Sequence, residues 1–212
     1  MSILISRREA VAGIATALAV AGLPIALTLP AAASVQTGVP APEFTATDSH
    51  GRQHTLGAYR GKPIVLEWTN HECPYTVKHY ATGNMQALQQ AATESGAIWL
   101  TVVSSRPGSQ GYVEGLEADR LTEERRARPT AVLLDPKGDL GRLYGARTTP
   151  HMYVVNGSGV LVYMGGIDDQ PTANHASVKT ARNYVREALD AIAAGRPIPV
   201  ASARPYGCSV KY

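Results

Sequence analysis

Two short stretches of the chain are apolar or β-branched at nearly every position. Ile64–Thr69 and Ala97–Val103 both read as strands buried on two faces rather than one. Between them, Val77, Ala81, Met85, Leu88 and Ala92 recur three and four residues apart. That spacing predicts one amphipathic helix, opened by Pro74 and stopped by Gly96. Strand, helix and strand make a βαβ unit, whose strands should be parallel with a right-handed crossover.

The flanking pattern extends this unit. A Pro-punctuated entry (Val39-Pro40-Ala41-Pro42) leads to a short strand near Phe44–Thr47 and a turn at Asp48–Gly51. A polar helical stretch is expected over Gln110–Arg128, a strand over Thr130–Leu134 and a short helix over Gly138–Tyr144. His151–Val155 and Val160–Tyr163 read as a hairpin turning on Asn156-Gly157-Ser158-Gly159. Val178, Ala181, Val185, Ala188 and Ile192 predict a closing helix, ended by Gly195 and Pro197, while Val200–Tyr212 has no period. A parallel unit, then a hairpin, then a helix is an α/β arrangement around a central mixed sheet flanked by helices.

Composition narrows the function classes. With 212 residues, 44% hydrophobic and 17% charged, the chain fits one globular domain plus a leader. The net charge is +3 and no Lys/Arg run exceeds two residues, so a nucleic-acid partner has no electrostatic support. Arg125 and Arg126 sit among Glu117, Asp119, Glu123 and Glu124 and read as a solvated helix face. Residues 1–33 read as a signal peptide. Arg7-Arg8 precedes an uncharged apolar run from Val11 to about Leu29, and Ala31-Ala32-Ala33 offers a cleavage site before Ser34. An uncleaved anchor is the competing reading, against which Gly22, Pro24 and Pro30 weigh. The arginine pair resembles the twin-arginine export signal. The expectation is a domain over 34–212, periplasmic or secreted from a bacterium, with no stable membrane insertion once the leader is removed.

Only Cys73 and Cys208 are available for thiol chemistry. Cys73 follows a buried strand and precedes a helix opened by Pro74, so its sulfur should face the free N–H groups and positive end of that helix. A thiolate held there is the nucleophile of disulfide exchange and of peroxide reduction. The competing reading, a structural core cysteine, fits poorly with the polar Asn70-His71-Glu72 beside it.

From this point the chain resembles the thioredoxin-like redoxins of the peroxiredoxin/thioredoxin superfamily. Ile64–Trp68 leading to Cys73-Pro74 is similar to their strand and active-site turn, and Thr148-Thr149-Pro150 to their cis-proline loop. Gly141–Gly145, Thr149-Pro150 and Val155-Asn156 through Gly159 follow the family's later pattern. Cys73-Pro74-Tyr75, Gly166-Ile167-Asp168-Asp169 and Gly207-Cys208-Ser209-Val210-Lys211 resemble a bacterial subgroup. The resemblance implies a thioredoxin-like fold and an exported thiol-disulfide oxidoreductase working through Cys73. A peroxiredoxin-like thiol peroxidase and a non-catalytic binding or copper-handling protein are the alternatives. The substrate would be a thiol or disulfide protein, a small thiol or a peroxide, with no cofactor and no metal.

The departures bear on mechanism. Thr76 stands where thioredoxins carry their second cysteine, so dithiol cycling within one turn is impossible. Asn70 occupies the position of an earlier subgroup cysteine and of the peroxiredoxin Thr/Ser. Pro150 lies near the place of the peroxiredoxin arginine, and Arg147 is not clearly its equivalent. Glu67 matches the buried proton-relaying acid of thioredoxins, with an edge or surface glutamate as the alternative. Pro150, if cis, would set the Thr149 backbone beside Cys73 to pair with an extended substrate. Pro74 and His71 would flank it, His71 either steadying the thiolate or facing solvent. Cys208 would act as the resolving thiol, or else form a static disulfide or stay unpaired. A His71, Cys73, His79 metal set has poor chelate spacing.

Overall fold

The computed structural model describes residues 35–212; the leader expected over 1–33, and the start expected at Ser34, lie outside the described residues. The chain begins with β1 (Thr45–Asp48) and β2 (Gln53–Thr55), paired antiparallel, and continues to β3 (Ile64–Trp68). Two helices follow, α1 (Pro74–Ala81) and α2 (Asn84–Glu94), then β4 (Ile98–Val103), α3 (Gly115–Glu124) and β5 (Ala131–Leu134). The second half holds α4 (Asp139–Tyr144), β6 (Thr148–Thr149), β7 (His151–Val155), β8 (Leu161–Gly165), α5 (Tyr184–Ala193) and β9 (Cys208–Ser209).

Seven strands form one sheet in the order β2-β1-β5-β4-β3-β7-β8. β3 runs parallel to β4 from Ile64↔Ile98 to Trp68↔Val102 and antiparallel to β7 from Ile64↔Val155 to Trp68↔His151. The sheet is therefore mixed, and the expected parallel unit forms its centre. Alternation along the central strands divides the core in two. Leu66, Trp68, Leu100, Val102, Tyr153 and Val155 pack with Tyr144 of α4 on one face. Val65, Trp99, Met152 and Val154 pack with Met85 and Leu88 of α2 and Val185 of α5 on the other. Each fully buried side chain of this size contributes about 1.5–3 kcal/mol relative to exposure. Among the described residues, no helix is long and apolar enough to cross a membrane.

Two helical expectations are corrected. The single helix expected from Pro74 is two, separated at Thr82-Gly83, where Gly83 adopts φ +74°. Val77 and Ala81, expected on the buried stripe, face solvent; α1 instead buries Thr76, Lys78, His79 and Tyr80. Its inner face meets a polar cluster described below, so apolar spacing misjudged its orientation. The closing helix starts at Tyr184, not near Val178, because the Asn183 side chain accepts from Arg186 N–H (3.0 Å) and fixes the start there. Val178 lies in a separate 3₁₀ turn, His175–Lys179, capped by Asn174. The hairpin forms where expected, its loop held by Asn156 Oδ1, which accepts from Ser158 and Val160 N–H.

Candidate functional site

The loop between β3 and α1 is folded by its own polar side chains. Asn70 Oδ1 accepts from Glu72 N–H (2.9 Å), and Cys73 N–H donates to Asn70 C=O (3.1 Å). Glu72 carboxylate accepts from Gly111 N–H (2.6 Å), tying the loop to the segment before α3. These bonds deliver Cys73 to the N-cap of α1, with extended φ and ψ and Pro74 in the first turn. The residue is completely buried.

Three chain segments meet at its sulfur. The Cys73 thiol donates to Thr149 C=O (3.0 Å), and the Thr149–Pro150 peptide bond is cis. The expected proximity of Cys73 and the proline loop is therefore present. Burial opposes ionisation of Cys73, yet its pKa lies below the ordinary thiol value. Polar groups of Cys208, Thr149 and Thr76 next to the sulfur favour the thiolate and outweigh the burial. Cys208 moves the other way, up to about 11, through burial and the neighbouring Cys73 sulfur. Both cysteines are free thiols here.

The segment without a sequence period supplies Cys208. β9 pairs antiparallel with β6, setting Thr149 opposite Cys208 and Thr148 opposite Ser209. The backbone edge of Thr149, expected to receive an extended substrate, is thus occupied by the chain's own strand. Gly207 permits this approach: it has φ +132°, and a Cβ there would fall 2.0 Å from Thr149 O. Tyr206 anchors one side of β9 in a buried polar cluster, donating to Asp168 Oδ1 and lying within hydrogen-bond reach of Lys78 Nζ (3.4 Å) and His79 Nε2 (3.3 Å). Lys78 Nζ also donates to Gln170 C=O (3.0 Å) and stands 3.9 Å from Asp168 Oδ2. Tyr75 packs edge-on against Tyr206. On the other side, Val210 N–H donates to Arg147 C=O, Arg106 N–H to Lys211 C=O, and Tyr212 OH to Ala146 C=O. The three subgroup motifs, Cys73–Tyr75, Gly166–Asp169 and Gly207–Lys211, therefore meet in one place.

The remaining expected residues sit as follows. Glu67 is fully buried in β3, not on an edge. Its carboxyl accepts from Tyr80 OH (2.8 Å), Trp99 Nε1 (2.8 Å), Gln89 Nε2 (3.2 Å) and Thr101 OH (3.2 Å). Desolvation raises its pKa against the opposing pull of these four donors. None of its described hydrogen bonds reaches Cys73. His71 lies at the mouth of a small cavity with Tyr80 and Arg125, and Arg125 donates to His71 C=O (2.9 Å). Burial and the nearby Arg125 charge lower the His71 pKa, and no described hydrogen bond joins it to Cys73. His79 is turned away from the thiol, its two ring nitrogens facing Asn84 and Tyr206. Among the described residues, no group of three His, Cys, Asp or Glu side chains is placed to hold a metal. Lys78, Asp168 and Tyr206 escaped sequence reasoning as a unit. A lysine and a histidine adjacent on a helix normally indicate solvent, and only the Asp-Asp motif hinted at a buried counter-charge.

Comparison with solved structures agrees on the fold. A conserved protein from Geobacillus kaustophilus has a TM-score of 0.67 at 23% identity, over 84% of this chain and 92% of its own. A hypothetical protein from Sinorhizobium meliloti gives 0.68 at 20% identity, over 84% and 96%. The thioredoxin domain of a thiol-disulfide oxidoreductase from Bacteroides vulgatus gives 0.50 at 19%, over 69% and 98%. No curated protein sequence matches the chain. The fold is thioredoxin-like, as the sequence resemblance implied. Residues 37–164, which include Cys73 and Pro150 but not Cys208, match the AhpC/TSA family model, and with more than half its length matched the chain belongs to the AhpC/TSA family.

Proposed function

We propose that the protein is an exported thiol-disulfide oxidoreductase whose working unit is the pair Cys73 and Cys208. One observation carries the reading: Thr149, whose C=O accepts from the Cys73 thiol, is the residue that β9 sets opposite Cys208, which brings the two cysteines together at a helix start and beside a cis-proline. A second sulfur in contact with a stabilised thiolate is what disulfide exchange needs and what Thr76 fails to supply within the helix turn. Thr149 C=O accepts from the Cys73 thiol beside the cis Pro150, and Pro74 starts the helix that Cys73 caps. Glu67 is the one fully buried carboxylate on the adjoining strand and the candidate proton store. Among the described hydrogen bonds none joins Cys73 to an arginine, which favours disulfide exchange over peroxide reduction. The Bacteroides vulgatus protein named as a thiol-disulfide oxidoreductase shares the fold. Export rests on Arg7-Arg8, the uncharged run and Ala31–Ala33.

Reduction of insulin by glutathione, followed as turbidity, tests the reading. The purified protein should accelerate it, and Cys73→Ser should bring the rate to that of glutathione alone. Full activity in Cys73→Ser would refute the assignment, and consumption of hydrogen peroxide without disulfide exchange would replace it with the peroxidase reading.

A further inference from the structure

Resting on that reading, we infer that outside thiols enter the Cys73–Cys208 pair at the sulfur of Cys208, with Cys73 as the leaving thiolate. In thioredoxin-like chemistry written from sequence alone, the helix-start cysteine meets the partner. Here its position forbids that. Cys73 is completely buried, whereas Cys208 is only partly covered. The one backbone edge along which an extended partner could reach Cys73, at Thr148 and Thr149, is already paired with Ser209 and Cys208. β9 is also fastened on both flanks, by Tyr206 in the Asp168–Lys78 cluster and by Val210, Lys211 and Tyr212. Displacing it would leave the buried Lys78 and Asp168 without their Tyr206 partner. A groove of about 560 Å³ lined by Thr148, Asp168, Pro171, Arg204, Tyr206 and Gly207 opens beside the residue that precedes Cys208. Cys208 is itself partly exposed, so a partner can meet it without moving β9.

The chemistry balances. In the oxidised pair, an outside thiolate attacks the Cys208 sulfur, forming a mixed disulfide there. The Cys73–Cys208 bond breaks, and its electron pair stays on Cys73. The new thiolate sits at the N-terminus of α1, where the helix end and the neighbouring Thr76, Thr149 and Cys208 groups favour its charge. A second thiolate of the partner then attacks the partner's own sulfur in the mixed disulfide. The partner leaves as a disulfide, and the Cys208 thiolate takes a proton from water. Two electrons have passed from a dithiol to the pair, which an external low-molecular-weight disulfide restores by the reverse exchange, releasing two thiols. The substrate class is accordingly a reduced dithiol on a protein or peptide, and the pair is its oxidant.

The unmutated protein, oxidised with glutathione disulfide to the intramolecular form, decides this. Brief exposure to reduced glutathione, acid quenching, alkylation and peptide mass spectrometry locate the glutathione. We expect at least tenfold more on Cys208 than on Cys73, with the alkyl group on Cys73. Glutathione found mainly on Cys73 would overturn the inference and leave the oxidoreductase reading intact. If no Cys73–Cys208 disulfide forms at all, both fall. As a second measurement, Tyr206→Ala should shift glutathione toward Cys73 by loosening β9; an unchanged distribution would show that the strand does not shield Cys73 and would equally overturn the inference.

Discussion

Glu67 shows how a single side chain was half legible in the sequence. Its place in an otherwise apolar run, six residues before Cys73, marked it as buried and acidic. That Tyr80, Gln89, Trp99 and Thr101 would all converge on it could not be read, since they come from two helices and a strand. The consequence is a pH dependence of stability with a definite sign. The native pKa lies above the unfolded one, so this group favours the native state at low pH. Its contribution falls as pH rises through the unfolded value and levels once the native carboxyl has ionised. Glu67→Gln mimics the protonated acid: its oxygen can take the three donors on one side and its amide can donate to Tyr80. The stability of Glu67→Gln minus that of the parent, from urea titrations at stepped pH, should therefore grow with pH through this window. A flat difference would show that the native and unfolded carboxyls titrate alike. Glu67→Ala, which leaves four donors unpaired, should lose about 3 kcal/mol or more.

At the scale of elements, the central strands were the most readable and the site-facing pieces the least. β3, β4, β5, β7 and β8 were marked by apolar runs and an Asn-Gly turn, since burial on both faces leaves few polar residues to confuse the pattern. α1 was misread because its buried face carries Lys78, His79 and Thr76, polar residues that pair within the fold and so mimic a solvent face. β6 and β9 were invisible: two-residue strands have no period, and they come from segments about sixty residues apart. The β6–β9 approach itself makes a prediction. Gly207→Ala places a methyl group against Thr149 O in a backbone conformation that alanine avoids. β9 should lift, and alkylation of Cys73 by iodoacetamide should accelerate about tenfold with an unchanged far-UV circular dichroism spectrum. A Cys73 rate equal to the parent's would show that β9 tolerates the change.

For the whole molecule, the order of strands and helices sufficed to give the α/β class, because sheet topology follows from a few strong segments, while the thioredoxin-like resemblance came from the Cys73-Pro74 and Thr149-Pro150 motifs. What could not be read was the return of the chain after α5 to the loop that carries Cys73, since that depends on contacts between distant polar residues such as Tyr206 and Asp168. The sequence separation of the two cysteines, about 135 residues, has a physical meaning of its own. Two thiols three residues apart remain neighbours when a chain unfolds, whereas Cys73 and Cys208 meet only because nearly the entire domain stands between them in native form. Their mutual effective concentration is therefore a property of the folded state, and linking them closes a loop whose entropic value in the chain model is about 5 kcal/mol. At a glutathione ratio that keeps the disulfide closed in water, concentrated urea should open it into glutathione adducts on both cysteines, as counted by mass spectrometry. Such a disulfide couples its reduction potential to folding, so that only a folded copy of the protein keeps it closed at that ratio.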